Sequence, residues 1–339
     1  MSQMDHAQSG TPGFFTWFAA TLPGLGLTFG IAVAAMAVQR LSGIPALSPL
    51  VVAMVMGIAV RNLIGTPAGA KPGVTFSLRR ILRLAIVLLG FQLTLAQLRA
   101  VGLPGLAVIS VTLAATFLFT KWAGRALGVE RRLAELIAAG TSICGASAVI
   151  ATNTVTRGAD EDVAYAIACV TVFGSLSMIA MPVLGSLMGM DAAHYGIWTG
   201  ATIHEVAQVV GAGFQHGAEA GQAATVAKLS RVILLAPMIL TLGALARRRG
   251  GSAQGSAPTP WFVLGFIAVV LLNSVLPLPE GAKAQVVTLT SFLLTVALAA
   301  MGLETDLRKL HAKGIRPLAL GALAWLFISG LGLALVGLV

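Results

Sequence analysis

Charge is scarce in this sequence. Asp, Glu, Lys and Arg together make up 10% of its 339 residues, where a soluble domain carries ~25%, and with 57% apolar side chains a water-soluble globule could not cover its surface. Cysteine is nearly absent: Cys144 and Cys169 both lie in apolar stretches, which excludes a disulfide framework and a four-ligand zinc site. No G-x-x-x-x-G-K-[ST] loop offers direct ATP drive, and no G-x-S-x-G elbow marks a serine hydrolase. The first thirteen residues are polar, lack a basic region and do not read as a cleavable leader. The formal charge of +10 is scattered and makes no basic stripe of the kind that holds nucleic acid. No cofactor and no metal are expected.

What the chain has is long apolar runs. At ~20 residues per crossing, these read as eleven candidate spans, at 14–39, 46–63, 80–98, 103–123, 133–153, 162–188, 193–213, 223–246, 260–276, 284–303 and 317–338. The fold class is therefore an all-α polytopic membrane protein of 10–11 helices, a single transporter-like domain over 1–339. Its cations orient it. If the loop with Lys71, Arg79 and Arg80 is cytoplasmic, the inside loops also collect Arg61, Arg83, Lys121, Arg125, Arg131, Arg132, Arg247, Arg248, Arg249, Arg308, Lys309, Lys313 and Arg316, while Arg40, Arg99, Arg157 and Lys283 fall outside. This predicts a multi-pass inner-membrane protein with a cytoplasmic N-terminus and a periplasmic C-terminus. A miscounted pair of spans between two inside loops would leave that orientation unchanged.

Residues 90–106 (GFQLTLAQLRAVGLPGL) and 302–318 (GLETDLRKLHAKGIRPL) match at Gly90/Gly302, Leu95/Leu307, Leu98/Leu310, Ala100/Ala312, Gly102/Gly314 and Leu106/Leu318. One copy follows a span running outward and the other a span running inward, as in inverted-repeat transporters, here with halves near 46–190 and 193–339. A Leu- and Gly-rich chain can also produce such an echo by composition alone.

Three apolar segments carry polar chemistry. In GTSICGASAVIATN (140–153), Thr141, Ser142, Cys144, Gly145 and Ser147 suit a discontinuous helix, whose free N–H groups could receive an anion at membrane depth; close helix packing by small residues is the alternative. In GATIHEVAQVVGAG (200–213), Glu205 is an ionisable group in an apolar run, functional by default, and with His204 it is read as a proton carrier; Gln208 shares the face of His204. The alternative is a structural pair that pins two helices. A zinc-peptidase reading lacks its second His, since position 208 is Gln. In AKLSRVILLAP (227–237), Lys228 and Arg231 lie on one face and could clamp an oxyanion, could snorkel, or could neutralise Glu205. Glu304 and Asp306 are expected at the interface, facing Arg308 and Lys309.

These segments resemble the YeiH-type family of bacterial inner-membrane proteins, whose family name proposes sulfate export, within the superfamily of cation/proton antiporters and organic-anion symporters. TSICGASA and HEVAQVV are the specific pieces; LRLAIVLLGFQLTLAQL (82–98), KLSRVILLAP (228–237) and ALAAMGLETDLRKL (297–310) add weaker support. The resemblance implies a panel part and a core part, two broken helices crossing near the midplane, alternating access and a homodimer. Residues 140–153 would be one crossing element, and either 200–213 or 297–305 the other. The expected function is a secondary transporter of a small anion, sulfate or a related oxyanion or sulfonate, coupled to H+ or Na+ by alternating access. The expected site is Thr141, Ser142, Cys144, Gly145, Ser147, Lys228 and Arg231 for substrate, with His204, Glu205 and Gln208 for ion coupling. The other classes are an intramembrane hydrolase or transferase using His204 and Glu205, and a passive anion channel.

Overall fold

The computed structural model describes residues 14–42, 48–96, 102–248, 261–276 and 278–338, and among these there is no β-strand. Among the described residues six helices are long and apolar enough to cross a bilayer: α1 (Phe14–Ser42), α5 (Gly102–Ala126), α8 (Asp160–Leu187), the α11 (Ala218–Ile233) and α12 (Leu235–Arg248) pair, α14 (Glu280–Glu304) and α15 (Ile315–Val336). Two shorter apolar helices, α2 (Pro49–Leu63) and α13 (Trp261–Val275), join them. A composite segment runs from α3 (Lys71–Phe76) through a π-helical stretch at Ser77–Ile81 into α4 (Leu82–Leu89). The expected all-α polytopic architecture is thus the one found.

One part packs by close backbone approach. A Cβ at Gly57 of α2 would lie 2.5 Å from the Ala299 carbonyl of α14, and one at Gly302 would lie 2.3 Å from the Met54 carbonyl. Small residues at both positions let α2 and α14 touch along their backbones, the means by which helices associate where no hydrophobic drive operates between them. Gly24 of α1 and Gly73 of α3 meet in the same way.

Two of the eleven apolar segments do not cross. The first runs through α6 (Arg131–Ser142), a break at 143–145, and α7 (Ala146–Thr156). It doubles back: Val149 packs on Gly140, Leu136 packs on Gly158, and the Thr156 hydroxyl lies 3.4 Å from the Glu135 carboxylate. The second runs through α9 (Ala192–Thr202), a break at 203–205, and α10 (Val206–Gln215). It also doubles back: the Tyr195 hydroxyl donates to the Ala212 carbonyl at 3.1 Å, and the Tyr195 ring stacks on His216 at 4.1 Å. With 12 and 11 residues, α6 and α9 rise ~18 and ~17 Å at ~1.5 Å per residue, about half of a ~30 Å hydrocarbon core. The expected crossings at 133–153 and 193–213 are therefore corrected to re-entrant hairpins. Non-helical backbone is tolerated at that depth only where protein buries it, and both breaks are buried apart from the partly exposed Glu205.

The hairpins enter from opposite ends. Near its start α15 meets the base of the first, with Leu320 beside Gly124 and Ala134 beside that same glycine. Further along, Trp198 of α9 donates its indole N–H to the Ser329 carbonyl at 2.9 Å, and Gly332 abuts Thr202. The alternative second crossing element at 297–305 lies mostly within the continuous helix α14. In the echo, residues 97–101 lie outside the described residues; its paired glycines Gly102 and Gly314 have φ of +58° and +79° and stand at the starts of α5 and α15.

Candidate functional site

The two hairpin tips meet beside the middle of α8 and are joined by ionisable groups. Each half-helix that ends at a tip leaves carbonyls without helical partners, and each that begins there leaves N–H groups. At mid-depth no water satisfies them, so side chains must.

Glu205 serves the N-termini. Its Oε1 accepts the Ala146 N–H at 2.6 Å, at the start of α7. Its carboxylate also accepts from the Gln208 backbone N–H, closing a capping box in which the Gln208 side-chain oxygen accepts the Glu205 N–H at 3.0 Å. One carboxylate thus caps a helix from each hairpin, where the macrodipoles place positive charge. Gly145 makes room for it: a Cβ there would stand 2.0 Å from Oε1. Gln208 is tied to α8, donating to the Thr171 carbonyl at 2.9 Å and the Ser175 hydroxyl at 3.2 Å. Gly174 allows this, since its Cβ would lie 2.0 Å from the Gln208 oxygen.

Lys228 and Arg231 serve the C-termini. The Lys228 ammonium donates to the Ile143 and Ile203 carbonyls, both at 2.7 Å. The Arg231 guanidinium donates to the Ser142 carbonyl at 2.5 Å, the Ile203 carbonyl at 3.2 Å and the Thr141 carbonyl. Both side chains are fully buried, and among the described residues no carboxylate lies within 4.0 Å of either. Snorkelling is thereby excluded, because neither head group reaches a span end. The cations are α11's contribution, three residues apart on one helical face.

The expected site residues are largely brought together. Thr141 and Ser142 contribute backbone carbonyls to Arg231, while the Ser142 hydroxyl donates to the Ala138 carbonyl. Cys144 is buried in the first tip and Gly145 lies beneath Glu205. His204 is 1% exposed, and its Nδ1 has no hydrogen-bond partner among the described residues. Ser147 is exposed and stands apart from the cluster. At the other end of the chain Asp306 pairs with Arg61 at 2.8 Å and caps the Arg308 N–H, with the Lys309 charge near enough to add to its stabilisation. Sequence reasoning missed Thr171, Ser175 and Gly174 on α8, whose polar character is ordinary for a membrane helix. It also missed a cavity of about 230 Å³ at the base of the first hairpin, lined by Lys121, Arg131, Arg132, Glu135 and Thr156. There Lys121 and Glu135 pair at 2.8 Å.

A family model described as Conserved hypothetical protein 698 matches residues 23–321. A UPF0324 membrane protein of Pseudomonas aeruginosa is 41% identical over 91% of this chain and 92% of its own. The chain belongs to the UPF0324 family of membrane proteins. Other UPF0324 relatives include a membrane protein of Bordetella pertussis, 40% identical over 89% of this chain and 92% of its own, and the inner membrane protein YeiH of Salmonella typhimurium, 37% identical over 91% and 92%. No solved structure matches the chain. With its apolar helices, UPF0324 membership makes this a multi-pass inner-membrane protein.

Proposed function

We propose that the protein is a secondary transporter of a small anion, a carrier rather than an enzyme, coupled to an ion and working by alternating access. The observation that carries this reading is the Glu205 carboxylate lying on the N-termini of two half-helices from opposed hairpins. Such termini are anion sites, and here an internal anion fills them. Protonation neutralises the carboxyl group and weakens its hold on the Ala146 and Gln208 N–H groups, so that a substrate anion can replace it. A protonated Glu205 with a bound monoanion carries the same total charge as the ionised Glu205 alone, and proton and anion then travel together. Tips held shut by two buried cations and the partly exposed Glu205 carboxylate favour a carrier over an open channel. An approach route from one face is the Lys121, Arg131 and Arg132 cavity, whose positive lining would concentrate anions. Sulfate and related oxyanions or sulfonates are the substrate candidates, and H+ or Na+ the coupling ion.

The hairpins also refine the orientation. Because both double back, Arg157 moves to the side of Arg131 and Arg132, leaving Arg40 and Lys283, among the described residues, as cations of the opposite side. By the positive-inside rule this supports a cytoplasmic N-terminus and a periplasmic C-terminus.

The test is counterflow of radiolabelled sulfate in proteoliposomes with and without a pH gradient. Wild type is expected to exchange label and to accumulate it when the gradient is imposed, whereas Glu205→Gln exchanges but settles at the uncoupled level. Full pH-driven accumulation by Glu205→Gln removes the proton role. If neither sulfate nor sulfonates exchange or raise the melting temperature, the anion reading falls.

A further inference from the structure

We propose that Lys228 and Arg231 are resident cations standing where a sodium ion would be coordinated, so that the protein works without sodium. The inference rests on the transporter reading and narrows its coupling ion. Half-helix C-termini and unwound carbonyls are where carriers built on broken helices coordinate Na+. In this protein the carbonyls of Thr141, Ser142 and Ile143 at one tip converge with that of Ile203 at the other, and each of the four receives a cationic donor from α11.

Lys228 is the closer analogue of a bound ion. It is a compact point charge that joins the hairpins by taking one carbonyl from each tip at equal distances of 2.7 Å. Arg231 adds a planar fork that fills the remaining oxygens. A sodium ion entering here would find no free carbonyl among these four and two fixed like charges beside it. Because the resident cations are covalently held, they cannot be exchanged between the two sides. The charges that can come and go in this cluster are the proton on Glu205, His204 or Cys144, and the substrate anion.

The experiment uses the full purified chain in detergent at fixed pH and ionic strength, with thermal unfolding and equilibrium binding of radiolabelled sodium. Wild type is expected to melt at the same temperature in sodium chloride as in choline chloride and to retain no sodium. Lys228→Ala is expected to melt at a lower temperature in choline chloride and to regain part of that loss in sodium chloride or methylammonium chloride, since either small cation can enter the vacated place. Saturable sodium binding by wild type, or a sodium-specific rise in its melting temperature, overturns the proposal. So does a folded Lys228→Ala that no small cation restores. Should that variant not fold, the wild-type measurement decides alone. Absence of anion flux in proteoliposomes would sink the transporter reading without touching either readout.

Discussion

At the scale of single residues, Gly145 sets the position of Glu205. Its backbone lies at φ +67° and ψ −131°, ground that glycine alone occupies without strain, and its missing side chain is the space the carboxylate fills. Gly145→Ala should therefore lose stability twice: ~1–3 kcal/mol from the backbone, and a further loss from pushing Oε1 off the Ala146 N–H. Glu205→Ala separates the two terms, because it vacates the space that a Cβ at position 145 would enter and leaves the backbone cost in place. Thermal unfolding should show Gly145→Ala costing less in the Glu205→Ala background than in the wild type; an equal cost in both would mean the carboxylate is not held as described. Glu205 and Gln208 were legible in the sequence because ionisable and amide groups in an apolar run must find partners. What they bind beyond one another was not, since those partners on α7 and α8 lie 33 to 59 residues away. Likewise the charges of Lys228 and Arg231 showed in the sequence, while the carbonyls that receive their N–H groups did not.

At the scale of elements, an apolar run of some twenty residues has the same hydropathy whether it crosses or turns back. The glycines at 140 and 145 announced a break in the first, whereas the second was only one of two alternatives, at 200–213 or 297–305, with no signal for where it breaks. Reversal itself depends on contacts such as Leu136 with Gly158 and Tyr195 with Ala212, between positions whose sequences say nothing of each other. The consequence is open to labelling. Single cysteines replacing Arg132 and Arg157 should both react with a membrane-impermeant maleimide from one face of the membrane, and those replacing Asp191 and Glu219 from the other. Labelling of positions 132 and 157 from opposite faces would restore a crossing helix and remove the first hairpin; the same result at 191 and 219 would remove the second.

At the scale of the molecule, the hairpins hang from opposite ends, their tips clasp at mid-depth, and α15 touches both. Alternating access then requires the tips to part, and the second hairpin cannot move far without sliding against α15 at Trp198, Thr202, Ser329 and Gly332. That contact can be fixed chemically. A Cβ at Gly332 would lie 3.7 Å from the Thr202 Cβ, within the ~3.5–4.5 Å that a disulfide spans, so the pair Thr202→Cys and Gly332→Cys should close under oxidation with little distortion. A Cys144→Ser, Cys169→Ser background makes the new pair the only thiols in the chain. If the hairpin shifts against α15 during each cycle, the oxidised protein should retain its fold by thermal unfolding yet lose anion counterflow, and reduction should return it. Undiminished counterflow with the bond formed would show that α15 and the second hairpin travel together. The moving boundary would then lie between that assembly and the α2–α14 pair, which its glycine contacts hold together as one body.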